Sequence, residues 1–389
     1  MSILLLIVGV VLFIGLVLTH EYGHFIMAKR GGVKVEEFGL FFPPRLYKHK
    51  TRDGWLFSIN LLPLGGFVKL KGEHDTDTSP GSYGAASLKV KTKIMAAGVV
   101  INIVTGLVLF TILALIGMPR VVDHQFTVQS DTQLVNRSVI ITYVEPGSPA
   151  AKAGLHAEDE LTDIARPGYS PVATVSSDGL RDVTQNFAGE TVVVYYLRAG
   201  QPREAKLTML TKQTVQASLK TNHPKGYLGV EPTQLVIQRS TWSAPVVAVG
   251  LSAQITALTF QGLGHAFAGL GSAIAGAVTG NHAARENGQT AASSQVSGPV
   301  GIAVLMKDFS SLGYQFVLFF IAYIALILGI MNILPIPALD GGRLWLTLIS
   351  RAVKRPLSAA AEETVNAVGF IILFSLIILI TIVDVQRFF

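Results

Sequence analysis

Cysteine is absent from the 389 residues. That excludes a disulfide framework, a thiolate zinc site and a cysteine-held iron–sulfur cluster, so any transition metal must be held by His and carboxylates. Charge is also scarce. Asp, Glu, Lys and Arg make up 14% of the chain, where a soluble domain carries about 25%. The apolar residues, 50% of the total, are gathered in blocks toward the two ends, around a polar middle. This distribution describes a multi-span α-helical membrane protein with an inserted soluble module.

About four stretches suit a bilayer core, which takes about 20 apolar residues as helix. They are 3–28, 94–118, 314–334 and 365–383. A further apolar stretch, 245–278, is rich in Gly, Ala, Ser and Thr and contains Gln254, Gln261 and His265. It is expected to lie on or against the membrane domain without crossing. No positive charge precedes Ile3, and Lys29 and Arg30 follow the first run, an order opposite to that of a signal peptide. Cytoplasmic loops are enriched in Lys and Arg. Basic residues outnumber acids between Lys29 and Lys93, and Arg343, Arg351, Lys354 and Arg355 follow the third span. Both loops therefore read as cytoplasmic, with segment 120–239 and both termini outside. Topology accounts for the formal net charge of +6, so no nucleic-acid partner is expected.

The middle changes to short strands. Val139–Val144 leads to a turn at Glu145-Pro-Gly147, Thr191–Leu197 is β-branched and aromatic, and Glu204–Leu210 reads as its hairpin partner. Ser148–Leu155 reads as a short helix ended by Gly154. The run Val144-Glu-Pro-Gly-Ser-Pro-Ala-Ala-Lys-Ala-Gly-Leu155, then Asp159-Glu-Leu161, resembles a bacterial PDZ domain over 127–212. It departs from that family at Glu158, where Gly is usual. The resemblance implies an extracytoplasmic α+β domain able to take peptide C-termini or outer segments of a substrate as an added strand.

His20-Glu21-Tyr22-Gly23-His24 fits H-E-x-x-H. On a helix this spacing puts both imidazoles on one face, one turn apart, where they suit zinc, with the adjacent carboxylate as general base. The motif continues an uncharged run, and ionisable groups at membrane depth are functional by default. A catalytic zinc takes three protein ligands and leaves one position open. The third ligand is expected at the same depth from another span. The third span ends at Asn332-Ile-Leu-Pro-Ile-Pro-Ala-Leu-Asp-Gly-Gly342. Its prolines cannot continue a helix, so Asp340 is expected on irregular backbone near the cytoplasmic face, level with His20 and His24.

With these motifs the chain resembles the bacterial site-2 proteases, which cut transmembrane helices inside the bilayer. The likeness covers H-E-x-x-H in the first span, N-x-x-P-x-P-x-L-D-G-G in the third, and the order of spans around the inserted module. It implies a zinc metalloendopeptidase of the inner (plasma) membrane, with its active site near the cytoplasmic face. Its implied metal ligands are His20, His24 and Asp340, with Glu21 as general base and Asn332 near the substrate backbone. Single-span membrane proteins are the implied substrates, as in the regulated intramembrane proteolysis of anti-sigma factors or the removal of signal-peptide remnants. Ser58–Leu70 resembles the family's membrane-associated β-segment, where Gly65 and Gly66 permit close backbone approach. Ser297-Gly-Pro-Val-Gly-Ile302 resembles the stretch before the third span. The second span departs from the family's G-P-x-x-N: Gly98-Val-Val-Ile-Asn102 has Val99 for Pro and keeps Asn102 for substrate. The expected organisation is a first membrane half (1–118, with cytoplasmic loop and β-segment 29–93), a PDZ-like domain (127–212), a linker and membrane-associated helical region (213–313) and a second membrane half (314–389). Two rivals remain: a PDZ-bearing scaffold with a relic metal site, and a zinc transporter.

Overall fold

The structure, a computed structural model, describes residues 2–72, 77–221, 223–293, 298–354 and 358–388. Ser297 and Arg355, used above, lie outside them. The chain divides into two compact units, 113–247 and the remainder.

The larger unit opens with α1 (Ser2–Arg30), a hairpin of β1 (Val35–Lys50) and β2 (Leu56–Leu70), and α2 (Leu88–Ile116). α2 runs unbroken through Val99, so the proline missing from the family pattern leaves a continuous helix. The β1–β2 ribbon is irregular. Glu37 to Leu40 is paired on both sides, with Leu56 to Ile59 and with Lys69 to Gly66. Among the described residues Gly66 to Lys69 is thus an outer stretch paired on one side only.

The smaller unit holds β3 (Met118–Pro119), β4 (Gln133–Val144), α3 (Pro149–Lys152), β5 (Glu160–Ala165), β6 (Val172–Ala173), α4 (Ser177–Asn186), β7 (Thr191–Arg198), β8 (Gln201–Thr208), α5 (Lys212–Ser218) and β9 (Val230–Arg239). Its sheet has the order β3-β9-β4-β5-β7-β8, with β6 on β5. The alternation in Thr191–Arg198 buries Val192, Val194 and Tyr196 among Val139, Ile141, Leu161 and Ile164. The module reaches beyond the expected 127–212, because β9 pairs with β4 from Val230 to Arg239 in a segment read as linker. Glu158 takes φ +73°, the left-handed conformation that glycine adopts freely. Asp159 beside it is 1% exposed and receives both Nε and a terminal nitrogen of Arg198 at 2.7 Å.

The chain continues through α6 (Ala244–Thr279), α7 (His282–Ser293), α8 (Pro299–Leu312), α9 (Tyr314–Ile333), α10 (Asp340–Ala352) and α11 (Ala359–Phe388). At the start of α6, Asp131 accepts from the hydroxyls and backbone N–H groups of Ser243 and Thr241. These donors, the Ser243 hydroxyl foremost, hold its carboxyl below the usual carboxylate range. Among the described residues five helices are long and apolar enough to cross a membrane: α1, α2, α6, α9 and α11. Four were expected. The fifth is α6, expected as a helix lying on or against the membrane domain; it is one continuous helix of 36 residues, long and apolar enough to be a candidate span. α1 and α9 pack in parallel: Gly9 lies against Val317 near their starts, and His24 meets Asp340 past the end of α9. Leu16, Val317, Phe320, Ile321 and Met306 form the apolar core joining α1, α8 and α9.

Candidate metal centre

α1 carries His20 and His24 one turn apart on one face, as the four-residue spacing requires. Nδ1 of His24 donates to the carbonyl of Ile94 on α2 at 2.8 Å. A carbonyl only accepts, so this bond places a proton on Nδ1, and in the neutral ring Nε2 keeps a free lone pair, a common way to orient a metal-binding imidazole.

Asp340 arrives from the turn after α9. It opens α10 as that helix's first residue, which corrects the expectation of irregular backbone. The prolines do end α9 as expected, but the chain becomes helical again at the aspartate. Close contact holds the turn in place. A Cβ at Gly341 would overlap the Leu334 carbonyl, and one at Gly342 would overlap that of Ile336. The Trp345 indole donates to Ile333 O at 3.0 Å and ties α10 to the end of α9.

Three electron-pair donors therefore converge. Oδ2 of Asp340 lies 3.1 Å from Nε2 of His20 and 3.0 Å from Nε2 of His24, and the two nitrogens are 3.2 Å apart. With both rings neutral, His24 Nε2 has no proton to offer the carboxylate, and His20 can protonate only one of the remaining contacts. At least one lone pair therefore faces another at hydrogen-bond distance, which a cation relieves. Ligands about 2.05 Å from a tetrahedral zinc stand roughly 3.3 Å apart, close to the observed spacing. Two imidazoles and a carboxylate also match the ligand types of a catalytic zinc. Among the described residues this trio is the one group found that could hold a metal ion.

Glu21 stays outside the ligand trio. The β-segment comes directly to it: a Cβ built on Gly66 would lie 3.0 Å from Glu21 Cγ and 3.2 Å from the carbonyl of Gly39. Gly65, at φ +157°, turns toward Phe42 instead. Asn102 is 1% exposed, and its Oδ1 has no hydrogen-bond partner. Asn332 is half-buried at the end of α9, with its carbonyl against Gly341. No contact ties the side chain of either asparagine to the metal trio.

Gly98 has a place at this site that its sequence context, Gly98-Val-Val-Ile-Asn102, does not signal. A Cβ there would overlap Cε1 of His20 and come within 2.5 Å of His24 Nε2. α2 can thus rest on both imidazoles because residue 98 has no side chain. Gly98→Ala is expected to weaken zinc affinity by about 10–100-fold, the scale of outer-shell disruption at metal sites. Alanine favours helix over glycine by about 1 kcal/mol, so a loss cannot come from helix propensity. Competition with a zinc-buffering chelator measures it.

The sequence profile of peptidase family M50 matches residues 8–376. A Clostridium perfringens protein that carries the name zinc metalloprotease is 29% identical over 96% of both chains. A Clostridium acetobutylicum protein of the same description is 27% identical over 99% of this chain and 98% of its own. A protein of Enterococcus faecalis named as the protease Eep is 24% identical over 96% of this chain and 97% of its own. With a match over nearly its whole length, the chain belongs to peptidase family M50 and is a zinc metalloprotease of the membrane.

Proposed function

We propose that this protein hydrolyses peptide bonds within transmembrane segments of single-span membrane proteins, with His20, His24 and Asp340 as the zinc ligands and Glu21 as general base. The observation that carries the reading is the meeting of those three ligand atoms, 3.0–3.2 Å apart, at the end of a helix whose preceding residues are uncharged. Zinc, when bound, polarises the scissile carbonyl and acidifies the attacking water. Glu21 takes the proton from that water and delivers it to the leaving amine. The Ile94 carbonyl holds the His24 ring in the orientation that binding needs. The contact between α1 and the β-segment sets where a substrate backbone passes Glu21.

A helical substrate shields its own carbonyls, so it must unwind before it is cut. Gly66 to Lys69 pairs on one side only, which leaves an edge where an extended substrate can add as a strand. The proposed site faces the inner half of the membrane, because the basic 29–93 loop and the basic residues after Asp340 both mark the cytoplasmic side. The parallel course of α1 and α9 supports this placement and calls for an even number of crossings between the end of α2 and the start of α9. α7 and α8, with 12 and 14 residues, are shorter than the roughly 20-residue span. A membrane-lying or re-entrant α6 therefore suits this topology better than a lone crossing.

The β-module is proposed as an extracytoplasmic PDZ-like filter for substrates. β9 pairs fully with β4 but with β3 only at Gln238 and Ile237. Among the described residues its first half thus has a free edge beside α4, where Ser177 N donates to the Gln234 side chain at 3.4 Å. The segment taken by that edge would be a substrate's outer part or a peptide C-terminus.

A graded series of substrate helices tests the catalytic reading. Substrates with Gly or Pro in the inner half of the span should be cut fastest, since these weaken a helix by about 1 and 3 kcal/mol. Gly66→Val should slow cutting of good substrates on the order of 10²-fold, the cost of misplacing a reacting group by about 1 Å, while zinc content stays unchanged. Rates indifferent to helix-breaking residues, with Gly66→Val fully active, would rule out strand capture.

A further inference from the structure

A second feature of the membrane unit lies behind the metal site. α1 and α2 cross so closely that a Cβ on Gly23 would stand 3.1 Å from the Ala97 carbonyl and 2.8 Å from Ile101 Cδ1. Beside this contact is an open groove of about 500 Å³. Gly23, Ile26, Met27 and Arg30 line it from α1, and Lys93, Ala96, Ala97, Val100 and Ile101 line it from α2. Each set follows the three- and four-residue spacing of one helix face. The helices are antiparallel, with Gly31 of the α1 end meeting Val90 of the α2 start. The two stripes therefore finish on a cation at the same end, Arg30 on one and Lys93 on the other. From Lys93 to Ile101 the groove runs roughly 12 Å along α2 at about 1.5 Å per residue.

Nothing else in the groove answers these charges. Among the described residues its remaining lining is apolar, and no carboxylate contributes to it. Lys29, next to Arg30, is paired with Asp53 at 2.7 Å, whereas among the described residues neither Arg30 nor Lys93 forms an ion pair. The helix ends add to the imbalance. Lys89, Lys91 and Lys93 lie in the first two turns of α2, which have no acidic residue in the opening turn. A helix N-terminus already carries partial positive charge and favours anions.

We propose that this groove binds one anionic phospholipid, with its phosphate between Arg30 and Lys93 and an acyl chain along Ile26, Ala96 and Val100. Apolar length with two unpaired cations at the membrane–water boundary fits that amphiphile, and basic pockets between spans on the cytoplasmic side hold such headgroups elsewhere. The site abuts the metal centre, since Gly23 and Ala97 adjoin His24 and Gly98. The bound lipid would brace the α1–α2 contact across which His24 donates to Ile94 O. The inference needs only a membrane-spanning α1 and α2, and its test is independent of proteolysis.

The full-length protein, purified in detergent, is mixed with phosphatidylglycerol or phosphatidylcholine, and retained lipid is read by native mass spectrometry. The wild type should keep phosphatidylglycerol at least tenfold more than phosphatidylcholine. Arg30→Gln with Lys93→Gln should abolish that preference, and Ala96→Phe should lower retention at least tenfold by filling the groove with both cations in place. Wild-type zinc content in each variant shows that the membrane unit is folded. Equal retention of the two lipids by the wild type, or unchanged retention in both variants, overturns the proposal. Retention lost only when the cations are removed, with Ala96→Phe unaffected, also overturns it by reducing the site to surface charge.

Discussion

Glu21→Gln should keep zinc at wild-type occupancy and lower cleavage by about 10²–10⁴-fold, the usual contribution of a positioned general base. Glutamine has nearly the same shape, so the contact of Gly66 with the side chain at position 21 persists. What disappears is the ability to accept a proton. The trio able to hold a metal is His20, His24 and Asp340, without Glu21, so metal and activity should separate in this variant. A metal-loaded Glu21→Gln protein that turns over substrate normally would remove Glu21 from the mechanism. The same variant distinguishes the rivals. A transporter or scaffold built on this metal site has no need of a base beside His20, and its zinc movement or partner binding would continue unchanged.

Asp340→Ala should instead lose metal and activity together. The substitution removes the oxygen that stands 3.1 Å and 3.0 Å from the two imidazole nitrogens and leaves two protein ligands where a catalytic zinc takes three. The drop in zinc affinity should exceed the 10–100-fold typical of outer-shell losses. Asp340 is also the first residue of α10, where an acidic side chain adds about 0.3–1 kcal/mol through the helix dipole. That is too little to unfold the membrane unit, and the glycine contacts of the Asn332–Gly342 turn do not involve the aspartate side chain. Zinc retained at wild-type affinity in Asp340→Ala would place the third ligand elsewhere.

The residues of the metal trio were legible because their chemistry is local and improbable. Two His and a Glu at helical spacing have little structural use in an apolar run, and the proline-rich stop after the third span put one aspartate at the same level. The four strongest spans were legible from length alone. α6 was legible as a helix, but Gln254, Gln261 and His265 among small residues hid that it is long and apolar enough to be a fifth candidate span. β9 was missed for a different reason. Pro232 weakens its strand pattern, and its partner β4 lies far away in sequence, so the pairing is a tertiary fact. Gly98 is the sharpest case. Its role is the absence of a side chain, which carries no sign of its own until the two imidazoles are seen against it.

The most direct test is the mass of the products formed when the purified, zinc-loaded protein is placed in liposomes with a single-span substrate. The account predicts cleavage inside the apolar segment, in its cytoplasmic half, stopped by a chelator and restored by zinc. Cleavage only outside that segment, or an intact substrate beside fully zinc-loaded enzyme, would contradict it.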